Sequence, residues 1–271
     1  MIDNIRIFDA HMHILGRFKP RDEPLVDYMS RFKIDRAIVT TVNEQTSLNA
    51  LLNNQNNNLE YMQMFAAKSQ YDHIQVLNAV RKHPERLTGF FWFNPRIANE
   101  DDWRLLERYI HEYNFKGVKI QPYVDMLKVP DHLHELAEFC IDADIPLFLH
   151  SGSGFFFQQS VRAKNYHRLV KKHKDLKVII GHAAFTMEYC INCLRYFLKT
   201  PNVYFETSVS IPYGIMTLIK AMGADRVLYG SDAPTATPPD VEIAKIKLFK
   251  FDEKIQQKVF FDNLVRLIGE R

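Results

Sequence analysis

The sequence predicts a parallel α/β fold closed into a (β/α)8 TIM barrel, and three observations carry that prediction. Eight short apolar runs, rich in β-branched and aromatic residues, recur along the chain. Helical periodicity fills the gaps between many of them. Ionisable residues stand just where several of the runs stop. The length of 271 residues suits one such barrel, which commonly has about 250.

The strand candidates are Ile5–Phe8, Ala37–Val42, Leu87–Phe93, Phe115–Ile120, Pro146–His150, Lys177–Gly181, Val203–Thr207 and Val227–Gly230. Most are too unbroken for half-exposed strands, and continuous apolar runs suit a parallel sheet covered on both faces. Pro130–Ala143 carries Leu133, Leu136, Ala137 and Cys140, a spacing that makes one apolar helix face. Val161–Lys174, Met187–Lys199, Ile211–Met222 and Val241–Phe249 read similarly, and a final helix runs from about Glu253 to Ile268. No repeat, hinge or Pro/Gly-rich linker divides the chain, so a single domain over residues 1–271 is expected. The longest connection, Asn43 to Asn58, is rich in asparagine and reads either as a lid or as a surface loop.

Composition excludes several functions. Apolar residues make up 46% of the chain and the formal charge is +3, an ordinary balance without the clustered basic face of a nucleic-acid binder. Lys171-Lys172 and Lys245-Lys247 read as solvated helix faces. No apolar run approaches the roughly 20 residues of a membrane span. Ile5–Phe8 begins almost at Met1, leaving no room for a secretory leader, so a cytoplasmic location is expected. Cys140, Cys190 and Cys193 are too few and too odd in number for a disulfide framework. The Cys190-x-x-Cys193 pair has no second pair to complete a zinc site and lies in a helical pattern, so reduced, buried thiols are expected.

The chemistry lies at the strand ends. The first strand runs into Asp9-Ala10-His11-Met12-His13, where alternation puts Asp9, His11 and His13 on one face. Two imidazoles about 7 Å apart along a strand can converge on one ion. The fifth strand ends at His150, the sixth at His182, and the eighth runs into Gly230-Ser231-Asp232-Ala233-Pro234. One buried histidine is an ordinary core residue. Four histidines and an aspartate at the same end of four strands would cost several kcal/mol to bury without a cation. That end is also where barrel enzymes keep their active sites. The other histidines (His73, His83, His111, His132, His134, His167 and His173) sit among charged residues and read as solvent-facing.

With these residues in order, the chain resembles the amidohydrolase superfamily over its whole length, and within it the amidohydrolase-related branch that holds aminocarboxymuconate-semialdehyde decarboxylase-like proteins. Gly117-Val118-Lys119 on the fourth strand also fits that branch. The resemblance implies a divalent metal, zinc above all, held by His11, His13, His150 and Asp232. It implies that His182 or Asp232 acts as the catalytic acid/base. Lys119 and His182 would bind a second metal in binuclear relatives, with Lys119 carboxylated. Here one ion and an uncarboxylated Lys119 is the expectation, its ammonium holding an anionic substrate group or pairing with a carboxylate such as Asp232 or Glu206. Asp9 is expected to orient an imidazole, or else to make a plain strand-end hydrogen bond.

Tyr123, Glu206, Ser208 and Tyr213 lie at or just past strand ends, and Arg162 begins the helix after the fifth strand, where it would meet a carboxylate; all five are candidates for substrate contact. Ser151-Gly152-Ser153-Gly154 and Phe155-Phe156-Phe157 are candidates for a pocket wall. A bound divalent ion lowers the pKa of its water from 15.7 to about 7. The leading expectation is therefore hydrolysis of a small amide, ester or lactone. The alternative is non-oxidative decarboxylation of an aromatic or unsaturated carboxylic acid. A non-catalytic ligand-binding barrel is the reading from another class. A small-molecule substrate is expected, with no nucleic-acid or membrane partner; a homo-oligomer is compatible with the pattern.

Overall fold

Strand β1 (Phe8–His13) pairs in parallel with β2 (Arg36–Thr40), which pairs with β3 (Leu87–Gly89). The chain then changes partner at Phe90. Its amide donates to Val39, whereas that of Phe91 donates to Gly117. From there β4 (Phe91–Trp92), β5 (Val118–Ile120), β6 (Leu147–Leu149), β7 (Val178–Ile180), β8 (Val203–Glu206) and β9 (Val227–Leu228) form a six-stranded parallel sheet. β3 and β4 are thus two halves of one barrel strand, which gives eight barrel strands as predicted, with the first at Phe8–His13 rather than Ile5–Phe8. The seam between β9 and β1 is an isolated Met12–Ala233 bridge rather than a continuous ladder. Hydrogen bonds from the amides of Ala10, Asp232 and His13 to the carbonyls of Tyr229, His11 and Ala233 support it. The structure, a computed structural model, describes residues 5–42, 69–151 and 161–270. The Asn43–Asn58 connection and the Gly152–Phe157 wall lie outside them.

Helices cover the outer face. They are α1 (Leu25–Arg31), α2 (Ile74–Lys82), α3 (Glu100–His111), α4 (His134–Asp142), α5 (Ala163–Lys172), α6 (Met187–Phe197), α7 (Pro212–Met222) and α8 (Pro239–Lys247). Local signals set their ends. Asn99 and Asp102 form a reciprocal capping box on α3, Thr186 caps α6, and Pro212 opens α7. The predicted final helix runs as α9 (Glu253–Gln257), a π-helical turn over Lys258–Asp262, and α10 (Asn263–Leu267). Cys140, Cys190 and Cys193 are buried and free, as expected of thiols on apolar helix faces. Among the described residues no helix is long and apolar enough to cross a membrane.

Two apolar layers result. Outward-facing strand residues such as Met12, Val39, Val118, Leu147, Val178 and Phe205 pack beneath the helices. Inward-facing ones (Phe8, Ala10, Ile38, Phe148, Ile179 and Leu228) meet Phe261, Leu264 and Leu267 of the C-terminal segment. The barrel interior is thereby filled with apolar side chains at one end, which leaves the polar strand ends to line the other.

Two expectations are corrected by the packing. β1 carries a bulge, since its register against β2 shifts between Asp9 and Met12. Ala10 belongs to the inner layer and Met12 to the outer, so the alternation changes phase inside the strand. Asp9 is therefore not on the face of His11 and His13. Its Oδ1 accepts the amides of His11 and Ser231, so it holds the backbone of the seam rather than an imidazole. Burial pushes the Asp9 carboxyl up to about 8. The second correction concerns His73 and His173, which are buried rather than solvent-facing. His73 Nε2 accepts the Trp92 amide at 2.8 Å, and its ring stacks on Phe91.

Candidate metal centre

The bulge in β1 brings His11 and His13 to the polar end of the barrel, where their rings sit 5.2 Å apart. His182 follows β7 and Asp232 follows β9, and both hold left-handed backbone conformations, at φ 54° and 55°. Such angles are uncommon outside glycine and cluster where a site demands a particular side-chain direction. Here they turn the two side chains inward at the ends of their strands. His11, His182 and Asp232 each offer one donor atom, all within 4.8 Å of one another. His13 Nε2 stands 3.0 Å from Asp232 Oδ1.

The far side of each imidazole is tied down. His13 Nδ1 lies 2.7 Å from the Thr41 carbonyl, and His182 Nδ1 lies 3.1 Å from the Ser208 carbonyl and 2.9 Å from its Oγ. His11 Nδ1 lies 3.3 Å from both Glu206 Oε2 and Ser208 Oγ. A ring whose Nδ1 hydrogen points at an oxygen has its Nε2 lone pair free. In His11 and His182 that nitrogen faces Asp232, at 3.8 and 3.9 Å. Buried imidazoles with fixed tautomers, facing a carboxylate, are a donor set that fits a divalent ion.

Glu206 organises this arrangement from below. It is fully buried at the end of β8 and accepts the amides of His182 and Ser208 as well as the Ser208 hydroxyl at 2.9 Å. Gly230 on the neighbouring strand makes the space, since a Cβ there would collide with the Glu206 carboxylate. Glu206 and Ser208 therefore lie behind the imidazoles and do not line the mouth. Burial raises the Glu206 carboxyl above its usual range, opposed by His182 and the Ser208 hydrogen bonds.

Lys119, on β5, is 2% exposed and lies over the Phe148 ring. Its Nζ is 3.2 Å from His11 Nε2, the nitrogen an ion would also use. Among the described residues no carboxylate oxygen lies within ion-pair distance of it. Burial lowers the Lys119 ammonium to about 7, against the pull of Asp232, Glu206 and Asp125. Burial also opposes ionisation of Asp232. The His13 hydrogen bond and the nearby His182 and Lys119 outweigh it and hold the carboxyl below its ordinary value. His11 and His150 are driven well below the usual imidazole range, chiefly by burial.

The remaining candidates are spread around this core. His150 packs edge-on against His182 at 4.7 Å, with its Nε2 3.4 Å from Gln121 Nε2. Tyr123 faces the His150 ring at 5.5 Å. Tyr213 is 60% exposed on the first turn of α7. Arg162 caps α5 and lines a surface cleft of about 580 Å³ with Lys164, Phe185 and Glu188. The sequence reading did not single out Gln121 or Asp125. Asp125 accepts hydrogen bonds from Tyr71, Trp92 Nε1 and the Gln121 amide, and so fixes the turn that carries Gln121 to His150. The only available signal was their position just after β5.

The family model described as Amidohydrolase matches residues 8–269. The chain belongs to the amidohydrolase family. It is an enzyme of the hydrolase or lyase type, for which a divalent metal is expected. Solved structures share its fold at low identity. The 2,6-dihydroxybenzoate decarboxylase from Rhizobium is 16% identical with a TM-score of 0.68, and the match covers 98% of this chain and 99% of that one. The 5-carboxyvanillate decarboxylase of Novosphingobium aromaticivorans, complexed with manganese, is 16% identical with a TM-score of 0.68, covering 98% and 96%. A probable 2-pyrone-4,6-dicarboxylic acid hydrolase from Acinetobacter baumannii, with citric acid bound, is 14% identical with a TM-score of 0.63, covering 98% and 100%. No curated protein matches the sequence.

Proposed function

We propose that this amidohydrolase-family enzyme decarboxylates a small aromatic or unsaturated carboxylic acid without an oxidant, using one divalent ion. His11, His182 and Asp232 would hold that ion, with His13 and His150 beside them. The observation that carries the reading is Lys119. It is a buried amine at the centre of the donor cluster, and no carboxylate of the described residues lies within ion-pair distance of it. Burial works against its charge, and an arriving substrate carboxylate is the partner that would hold the proton on it. Several proteins with this fold are decarboxylases of hydroxylated benzoic acids. Imidazole and carboxylate donors suit zinc and also manganese, and manganese is the metal bound in one of those relatives.

The ion, when bound, supplies positive charge that orients the substrate's oxygen atoms and stabilises charge built up on them. The residues do the rest. Lys119 anchors the acid, and Phe148 walls the site on the same side. Breaking the bond to the carboxyl carbon releases carbon dioxide and leaves an electron pair on the substrate carbon, which takes a proton. The His13–Asp232 contact at 3.0 Å is positioned to deliver one. Glu206 and Ser208 keep the rings of His11 and His182 from turning.

The second reading is hydrolysis of a small ester, amide or lactone. It is favoured by Asp232 being held in its ionised form, which suits a base toward water. Incubation with a panel of hydroxylated benzoic acids and unsaturated acids, and with small lactones and esters, separates the two. Release of carbon dioxide with no new acid group supports decarboxylation. Appearance of a new carboxylic acid without carbon dioxide supports hydrolysis and refutes the first reading.

A further inference from the structure

His134 opens α4, and His173 follows the last turn of α5. They are 39 residues apart in sequence, yet His134 Nδ1 lies 2.9 Å from His173 Nε2, with ring centroids 5.2 Å apart. His173 is buried and His134 is half-buried. In this contact one nitrogen donates its hydrogen and the other offers a lone pair, so the pair is satisfied with both rings neutral. Burial lowers the proton affinity of His173, and His134 and Lys172 act in the same direction, against Glu138. Neutral rings are the form that binds metals.

We propose that His134 and His173 form a second metal-binding site, a two-imidazole clip for one divalent transition ion such as zinc, nickel or copper. Nitrogen donors about 2.0–2.1 Å from a tetrahedral ion stand about 3.3 Å apart. The nitrogens need to part by only a few tenths of an ångström, and the half-buried His134 ring has to tilt and take the other tautomer so that both lone pairs meet at the ion. Glu138 lies one helical turn beyond His134 on the same face of α4 and is exposed. On turning toward the pair, its flexible side chain would supply a third donor, with water completing the coordination. Imidazole nitrogen is the donor these ions prefer. The donors come from α4 and the end of α5, whereas the barrel-mouth cluster comes from strand ends. An ion here staples two helices of the outer layer and adds to the metal count of the chain without entering the reaction.

The test is a calorimetric zinc titration of chelator-stripped full-length protein, comparing the unaltered chain with His134→Gln and Glu138→Gln. The unaltered chain is expected to take up one more zinc ion per chain than His134→Gln, and Glu138→Gln is expected to weaken that extra site about tenfold. Turnover should be the same in all three. Equal stoichiometry in the unaltered chain and His134→Gln overturns the proposal and leaves the pair a hydrogen bond only. Should His134→Gln fail to fold, zinc protection of the half-buried His134 against diethyl pyrocarbonate reads the site in the unaltered chain. Protection of His134 by zinc supports the clip, and its unchanged modification at saturating zinc refutes it.

Discussion

Glu206 Oε2 lies 3.3 Å from His11 Nδ1, and the same carboxylate accepts the His182 amide. One buried acid therefore fixes two of the three donors in the tightest cluster at the barrel mouth. Partners of this kind, one step behind a ligand, typically contribute 10- to 100-fold to metal affinity. Glu206→Gln keeps the shape but weakens the acceptor, and we expect a roughly tenfold loss of metal affinity with little change in melting temperature. Glu206→Ala leaves buried amides unpaired and should lower both. Chelator competition alongside thermal unfolding checks the pair of variants.

Lys119 donates to His11 Nε2, the lone pair an ion requires, so ion and ammonium compete for one nitrogen. Lys119→Met removes that competitor and its charge. Metal affinity should rise, while KM for an acidic substrate should rise about ten- to a hundredfold, the cost of one charged hydrogen bond. Metal titration and steady-state kinetics on the same preparation read both effects.

Asp232 sits between the Nε2 atoms of His11, His13 and His182. Asp232→Asn keeps the volume and removes the charge. We expect the variant to lose its ion together with a positioned acid/base group, so that kcat falls by at least about 10² to 10⁴, with the fold retained by circular dichroism.

His73 gives a stability prediction. Burial depresses its pKa from 6.5 to about 3, with the Tyr71 backbone hydrogen bond and Asp72 opposing. The unfolded chain therefore binds this proton at higher pH than the folded one. The contribution is complete above pH 6.5 and is lost as the pH falls toward 3. At roughly 1.4 kcal/mol per pH unit, it amounts to about 5 kcal/mol over the whole range. Urea unfolding at pH 7 and pH 4 should show the loss, and His73→Gln should flatten the slope.

Much of this was legible in the sequence, for reasons that can be named. Seven of the eight apolar runs survive as strands because burial on both faces demands unbroken hydrophobic sequence, whereas the first strand is shifted from Ile5–Phe8 to Phe8–His13, onto the polar stretch that carries the histidines. His11, His13, His182 and Asp232 stand out because each interrupts such a run at its end. The β1 bulge was not legible, because it depends on the register between two strands. Alternation alone therefore set Asp9 beside the histidines, when it faces the β9 seam. Glu206 ends a strand just as Asp232 follows one, and only packing against Gly230 separates a supporting acid from a rim acid. His73 and His173 lie among charged neighbours, and their burial comes from the elements folded over them.

The most direct test of the central claim is the metal content of the chain, by elemental analysis, measured against Asp232→Asn and His182→Ala. A His134→Gln background removes any ion held at the helix surface. The account predicts about one divalent ion per chain, lost in both barrel-mouth variants. Full metal content in those variants, or no uptake by the unaltered chain after supplementation with zinc and manganese, would contradict it.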